Sequence, residues 1–129
     1  MVGRVLIVED EPNIIEAIRF ILSRDGWAVD THADGQTALE AVARRRPDLI
    51  ILDVMLPNRS GYDILSDLRA DPGTEKIPVL MLTARGQSTD RDLALRVGAS
   101  RFMTKPFANA DVLAAVRDLT GLGPKVAEG

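Results

Sequence analysis

Apolar residues along this chain gather in short runs separated by longer stretches of mixed character. Five runs are evident: RVLIV (4–8), AVDTH (28–32), LIILD (49–53), PVLML (78–82) and RFMT (101–104). Three of them are continuous and rich in Val, Ile and Leu. That is the composition of strands covered on both faces, as in a parallel sheet flanked by helices. AVDTH alternates and is less apolar, which suits an edge.

Between the runs the spacing changes to a helical period. After Pro12, placed where a first-turn proline is tolerated, Ile14, Ile18, Ile21 and Leu22 share one face, and Gly26 ends the stretch. DGQTALEAVARRR (34–46) begins at a capping acid and stops before Pro47. Its Arg44, Arg45 and Arg46 read as a solvated helix end, where cations favour the dipole. SGYDILSDLRAD (60–71) has Ser60 and Asp63 at capping-box spacing and turns Ile64, Leu65 and Leu68 inward. STDRDLALRVG (88–98) is weakly amphipathic and is expected to be the least rigid helix. NADVLAAVRDLTG (109–121) offers Val112, Leu113, Val116 and Leu119 to a core. GLGPKVAEG has no periodicity, so residues 122–129 are expected to form a loose tail or a truncated linker, and residues 1–121 the domain. A βα unit repeated five times predicts a three-layer α/β domain with right-handed crossovers. The pattern by itself leaves the strand order open.

Composition narrows the chemistry. The chain has 129 residues and a formal net charge of -3, is 46% hydrophobic and 27% charged, and contains no cysteine and one histidine. This fits one folded domain with a substantial core. The acidic balance argues against direct nucleic-acid binding. Disulfides, thiolate metal sites and a cysteine nucleophile are excluded, and His32 alone makes no histidine-rich metal site. MVGRVLIVEDE has too short an apolar run for a signal peptide, and no stretch reaches the length of a membrane helix, so a cytoplasmic protein is expected.

The strand ends carry the candidate chemistry. The first run ends in Glu9, Asp10 and Glu11, the third in Asp53, the fourth in Thr83 and the fifth in Lys105. In an open parallel sheet the carboxyl ends of the strands form the ligand crevice. Glu9, Asp10 and Asp53 would repel one another there, and a hard divalent cation such as Mg²⁺ relieves that repulsion with all-oxygen ligands. Lys105 offers a point charge and Thr83 a hydroxyl donor. Together they suit phosphoryl transfer onto the Asp53 carboxylate, with Mg²⁺ and Lys105 neutralising the developing charge. Taken singly, an acid pair after a strand is a turn or a cap, and a strand-end aspartate is unremarkable. Their placement at successive strand ends makes the set informative.

VLIVEDE, PDLIILDVMLPNRSG, PVLMLTA and GASRFMTKPF occur in this order over residues 3–121. With these motifs the chain resembles the receiver domains of bacterial two-component response regulators. The resemblance implies a doubly wound, flavodoxin-like (βα)5 sheet of order 2-1-3-4-5. It implies that Asp53 is the phosphoacceptor, that Asp10 and the Met55 carbonyl bind Mg²⁺ directly, and that Glu9 holds the ion through water. Lys105 would pair with the phosphoryl group, Thr83 would be the switch hydroxyl, and Phe102 the aromatic switch position. A cis Lys105–Pro106 bond is implied as well. Partners would be a sensor histidine kinase or a histidine phosphotransfer protein, with the output undetermined. The domain would catalyse its own phosphorylation and dephosphorylation without being a dedicated enzyme.

Two other readings are open. An aspartyl-phosphate phosphatase would carry a second acid two residues after the nucleophile, where this chain has Met55. A receiver-like binding module not controlled by phosphorylation would have no use for the full acid, Thr83 and Lys105 set. The winged-helix transcription-factor class, which LTARG and TKPF resemble, commonly pairs two receivers through ion pairs. The corresponding positions here are Arg91 with Asp111, Arg96 with Arg117, and Arg101 with Ala115. Only the first pair has opposite charges, so a monomer or a differently built dimer is expected.

Overall fold

The computed structural model describes residues 3–84 and 88–121. Five parallel strands, β1 (Arg4–Val8), β2 (Ala28–His32), β3 (Leu49–Asp53), β4 (Val79–Thr83) and β5 (Arg101–Thr104), form one sheet of order β2-β1-β3-β4-β5. Parallel neighbours need long crossovers, and the helices supply them: α1 (Pro12–Arg24), α2 (Ala38–Arg45), α3 (Gly61–Ala70), α4 (Ser88–Val97) and α5 (Asn109–Thr120). The doubly wound architecture expected from the chain is the one found.

Alternation along the three central strands divides the core in two. Val5, Ile7, Leu49, Ile51, Leu80 and Leu82 pack with Ile18 and Leu22 of α1 and with Val112 and Val116 of α5. Leu6, Val8, Ile50, Leu52, Val79 and Met81 pack with α2, α3 and Ala94 of α4. Every residue of β3 and β4 is buried, which is why those runs are continuous. Both edge strands, β2 and β5, are only half-buried throughout. Fully burying one Leu or Ile side chain contributes roughly 1.5–3 kcal/mol, so these central strands carry much of the stability.

Local details depart from the sequence pattern at two places. The fourth strand begins at Val79 rather than Pro78 and extends through Thr83. The second helical stretch opens as a single 3-10 turn, Gly35–Thr37, in which the Asp34 side chain accepts from the Gln36 amide at 2.8 Å. Gly35 donates to the Pro57 carbonyl, and a Cβ there would meet the Arg59 carbonyl at 2.5 Å, so this turn is pressed against the loop after β3. α4 buries Ala94 while Leu93 and Leu95 remain exposed, in keeping with its weak pattern. The stretch 122–129, expected as a tail, lies outside the described residues, as do positions 85–87 of the fourth loop.

Capping and ion pairs set the helices in place. Ser60 Oγ accepts from the amides of Tyr62 and Asp63. Arg46 ends α2 in the left-handed region, and its amide reaches the Val42 carbonyl. Arg69 of α3 donates to the carbonyls of Gly98, Glu75 and Ile77 at 2.8, 3.0 and 2.8 Å, tying the end of α4 to the α3–β4 loop. Asp25, just past α1, accepts from Arg117 Nε of α5 at 3.1 Å and from the buried Trp27 indole at 3.0 Å. Among the described residues no helix is long and apolar enough to cross a membrane.

Candidate functional site

The strand order reverses between β1 and β3, so a crevice is expected where their carboxyl ends diverge. Val8 stands opposite Leu52 in the register, which sets Glu9 beside Asp53. Glu9 is buried and Asp53 is 3% exposed, whereas Asp10 is exposed at the rim. One carboxylate oxygen from each of the three lies within 4.8 Å of the others.

Lys105 joins them from the far edge of the sheet. Its amide donates to the Thr83 carbonyl at 2.7 Å, and the Lys105–Pro106 bond is cis, as the resemblance implied. Its ammonium lies 3.2 Å from Glu9 Oε1, 3.3 Å from Asp53 Oδ1 and 3.1 Å from Glu11 Oε1. Burial draws the Lys105 ammonium down, but the hydrogen bond to Glu11 and the charges of Asp53 and Glu9 outweigh it, so Lys105 is held above its usual value. Burial and then the charge of Asp53 also push Glu9 up, from 4.5 to about 7, against the opposing pull of the Glu11 amide and Lys105.

Positioning of Asp53 depends on close backbone packing. A Cβ on Gly61 would sit 2.2 Å from the Asp53 carbonyl oxygen and 2.9 Å from Val54 Cα. Glycine at the start of α3 therefore lets the helix close over the end of β3, with the Gly61 amide donating to the Val54 carbonyl at 2.8 Å. The Met55 amide donates to Asp53 Oδ1 at 3.3 Å, and the Met55 side chain is exposed. No acid stands at this position, where a phosphatase of the rival type would place one.

Thr83 is buried at the end of β4, next to the Asp53–Leu82 register pair. Phe102 is half-buried on β5 and packs into the core layer beneath α4. It lies in the hydrophobic layer and outside the charged cluster. The cluster that forms is thus Glu9, Asp10, Asp53 and Lys105, with Thr83 beside it. The sequence pattern placed all of these, but it assigned no role to Glu11 or Gly61. Glu11 had a signal in the acid run after the first strand, and Gly61 in its place directly after the Ser60 cap.

The donor set fits a hard divalent cation. Glu9, Asp10 and Asp53 are all oxygen donors, and their ligand atoms lie close enough together to meet one ion. Glu9 Oε1, although near Lys105, is buried and accepts no directed hydrogen bond. Burying an oxygen without a hydrogen bond is costly, and a divalent cation alongside Lys105 would offset that cost.

Residues 5–117 match the response regulator receiver domain family. The chain belongs to that family. It is 43% identical over 116 residues to the probable transcriptional regulatory protein TcrX of Mycobacterium tuberculosis, covering 89% of this chain and 48% of TcrX. The chain thus spans about half the length of the curated relatives it matches. Among solved structures, a putative response regulator from Chloroflexus aurantiacus superposes with a TM-score of 0.89 at 30% identity, covering 94% of this chain and 99% of that one. The receiver domain of the sensor histidine kinase PA1611 from Pseudomonas aeruginosa gives 0.85 at 30% identity, with 94% and 99% covered, and holds a magnesium ion in its active site cleft. This receiver domain is homologous to phosphorylation-activated response regulators, and its acidic cluster supports phosphoryl cycling on an aspartate.

The receiver's outer face bears on how two copies could pair. Arg117 is engaged by Asp25 and Arg101 by Asp118, both within the chain. Ala115, mapped from sequence onto a pairing surface, is buried in the α1–α5 core layer and offers no surface contact. Arg91, Arg96 and Asp111 are exposed.

Proposed function

We propose that residues 1–121 form a signalling receiver that takes a phosphoryl group onto Asp53 from a phosphohistidine on a sensor kinase or phosphotransfer protein. The observation that carries this reading is the buried Asp53 carboxylate, 3.3 Å from the Lys105 ammonium and grouped with Glu9 and Asp10 at the sheet's switch point. An oxygen of Asp53 attacks phosphorus, forming a P–O bond as the P–N bond breaks. The electron pair stays on the departing nitrogen, and the ring, already protonated at its other nitrogen, leaves as neutral imidazole. Hydrolysis reverses the state: water attacks phosphorus, the aspartyl P–O bond breaks, and the carboxylate and inorganic phosphate remain.

Each side chain has a task in this scheme. Lys105 offsets charge on the phosphoryl oxygens, and burial of Asp53 limits competing water. Asp10, Asp53 and the Met55 carbonyl would hold Mg²⁺ directly, and Glu9 would do so through water. The ion, when bound, supplies further neutralisation of the phosphoryl oxygens. The new group adds about -1.5 to -2 charges and fresh acceptors. Thr83 would donate to one of them, and a shift of its loop would change how deeply Phe102 is buried beneath α4. Signal output would then pass through the face formed by α4, β5 and α5 to a protein partner or an attached domain.

Asp53→Asn incubated with acetyl phosphate and Mg²⁺ should gain no phosphoryl mass under conditions where the parent protein does. Equal modification of both would refute the assignment.

A further inference from the structure

Glu11 occupies the N-cap of α1, yet its side chain makes no capping bond. Its backbone is held from both sides. The Glu11 amide donates to Glu9 Oε2 at 3.1 Å, and its carbonyl accepts from Ile14 and Ile15. The carboxylate is the part left to choose a partner, and it turns to the Lys105 ammonium, 3.1 Å away, instead of to the helix amides.

The three acids around Lys105 are not equivalent. The side chains of Glu9 and Asp53 are 0% and 4% exposed, whereas that of Glu11 is 59% exposed. Buried charges cannot be abandoned without leaving a neighbour unpaired. An exposed carboxylate that loses its partner is rehydrated at small cost. Glu11 is therefore the contact that gives way first. Glu11 and Lys105 also share a groove of about 430 Å³, lined further by Asn13, Ile14, Phe107 and Asn109, which opens beside the acids. An anionic group arriving there meets Glu11 and Lys105 together.

We propose that Glu11 is a positioning residue that parks Lys105 at the rim of the resting site and competes with the phosphoryl group for it. This rests on the reading of Asp53 as phosphoacceptor. A phosphoryl oxygen on Asp53 takes over the ammonium, and its added negative charge pushes the Glu11 carboxylate into solvent. In the resting protein Glu11 thus restrains the reaction by occupying Lys105 and by repelling anionic donors.

Glu11→Gln keeps the size of the side chain and removes its charge. Labelling of Asp53 by acetyl phosphate should become about two- to fivefold faster, the span covered by an exposed ion pair. Affinity for beryllofluoride with Mg²⁺, read by fluorine NMR, should rise by a similar factor. Glu16→Gln, which removes a charge one turn further along α1 without touching Lys105, should change both by less. In the unphosphorylated variant the Lys105 side-chain NMR resonances should shift from their parent positions, and Glu16→Gln should leave them in place. A parent protein labelled on Asp53 with an Glu11→Gln rate equal or lower overturns the competition. Lys105 resonances unmoved by Glu11→Gln overturn the parking contact. Failure of the parent to label at all overturns the underlying assignment of Asp53, and the competition with it.

Discussion

Replacing Gly61 with alanine would set a methyl carbon 2.2 Å from the Asp53 carbonyl oxygen and 2.9 Å from Val54 Cα. Ordinary carbon–oxygen contact is about 3.3 Å or more, so roughly 1 Å of overlap must be relieved. Both neighbours are backbone, and one belongs to a strand buried on both faces, so no flexible side chain can yield. Overpacking of this kind costs typically about 1–3 kcal/mol. The intrinsic preference of a helix for alanine over glycine returns at most about 1 kcal/mol, and less in a first turn. A net loss of about 2 kcal/mol is expected. With a urea slope of about 1–3 kcal/mol/M, the midpoint of unfolding should fall by roughly 1 M. Circular dichroism during urea titration is a suitable assay, with Gly73→Ala as the matched control. At Gly73 the nearest atom to an added Cβ is Asp71 Oδ1 at 3.5 Å, an ordinary contact, so that change should stay within about 0.5 kcal/mol. Because the overlap presses directly on the residue that carries Asp53, labelling by acetyl phosphate should also slow in Gly61→Ala. A Gly61→Ala midpoint equal to that of the parent would show that α3 does not close on β3 as described.

Three further outcomes are expected. With Glu9 raised to about 7, the native state binds an extra proton between pH 4.5 and 7. In chelated buffer stability should therefore be full below about pH 4.5 with respect to this group and fall as pH rises through 7, by on the order of 3 kcal/mol; Glu9→Gln should flatten that slope in a plot of Tm against pH. Asp10→Ala should abolish Mg²⁺-induced NMR shifts around Asp53, and unchanged shifts would remove Asp10 from the metal set. The beryllofluoride-activated protein should sediment as a monomer, because Arg117 and Arg101 are already paired within the chain; a tight dimer joining Arg91 to Asp111 of a second copy would contradict this.

What the chain disclosed beforehand follows from the range of the interactions involved. LIILD reads as a buried strand because every one of its residues is buried, and the strand-end acids read as a cluster because parallel strands bring their carboxyl ends together. Ser60 was legible as a cap because its partners lie two and three residues away. Partnerships across the sequence were not legible from spacing. Glu11 meets Lys105 from 94 positions away, and Asp25 meets Arg117 from 92. Neither pair leaves a local period. The strand order followed from resemblance, not from periodicity, because any order of parallel strands buries the same alternating faces. Gly61 looked like a first-turn residue, and only the approach of β3 shows why a side chain is excluded. The start of the second helix was placed too early because the Asp34 cap serves a 3-10 turn pressed on the next loop.

Trp27 precedes β2 and therefore lies at the amino end of the sheet, while Asp53 closes the carboxyl end of β3. Its indole N–H and the Arg117 guanidinium share one carboxylate, that of Asp25. The single tryptophan of the sequence therefore stands at the opposite end of the sheet from the acidic crevice and is tied to the seating of the last helix. Its emission spectrum is a built-in gauge of whether α5 is docked on α1, read from the far side of the sheet.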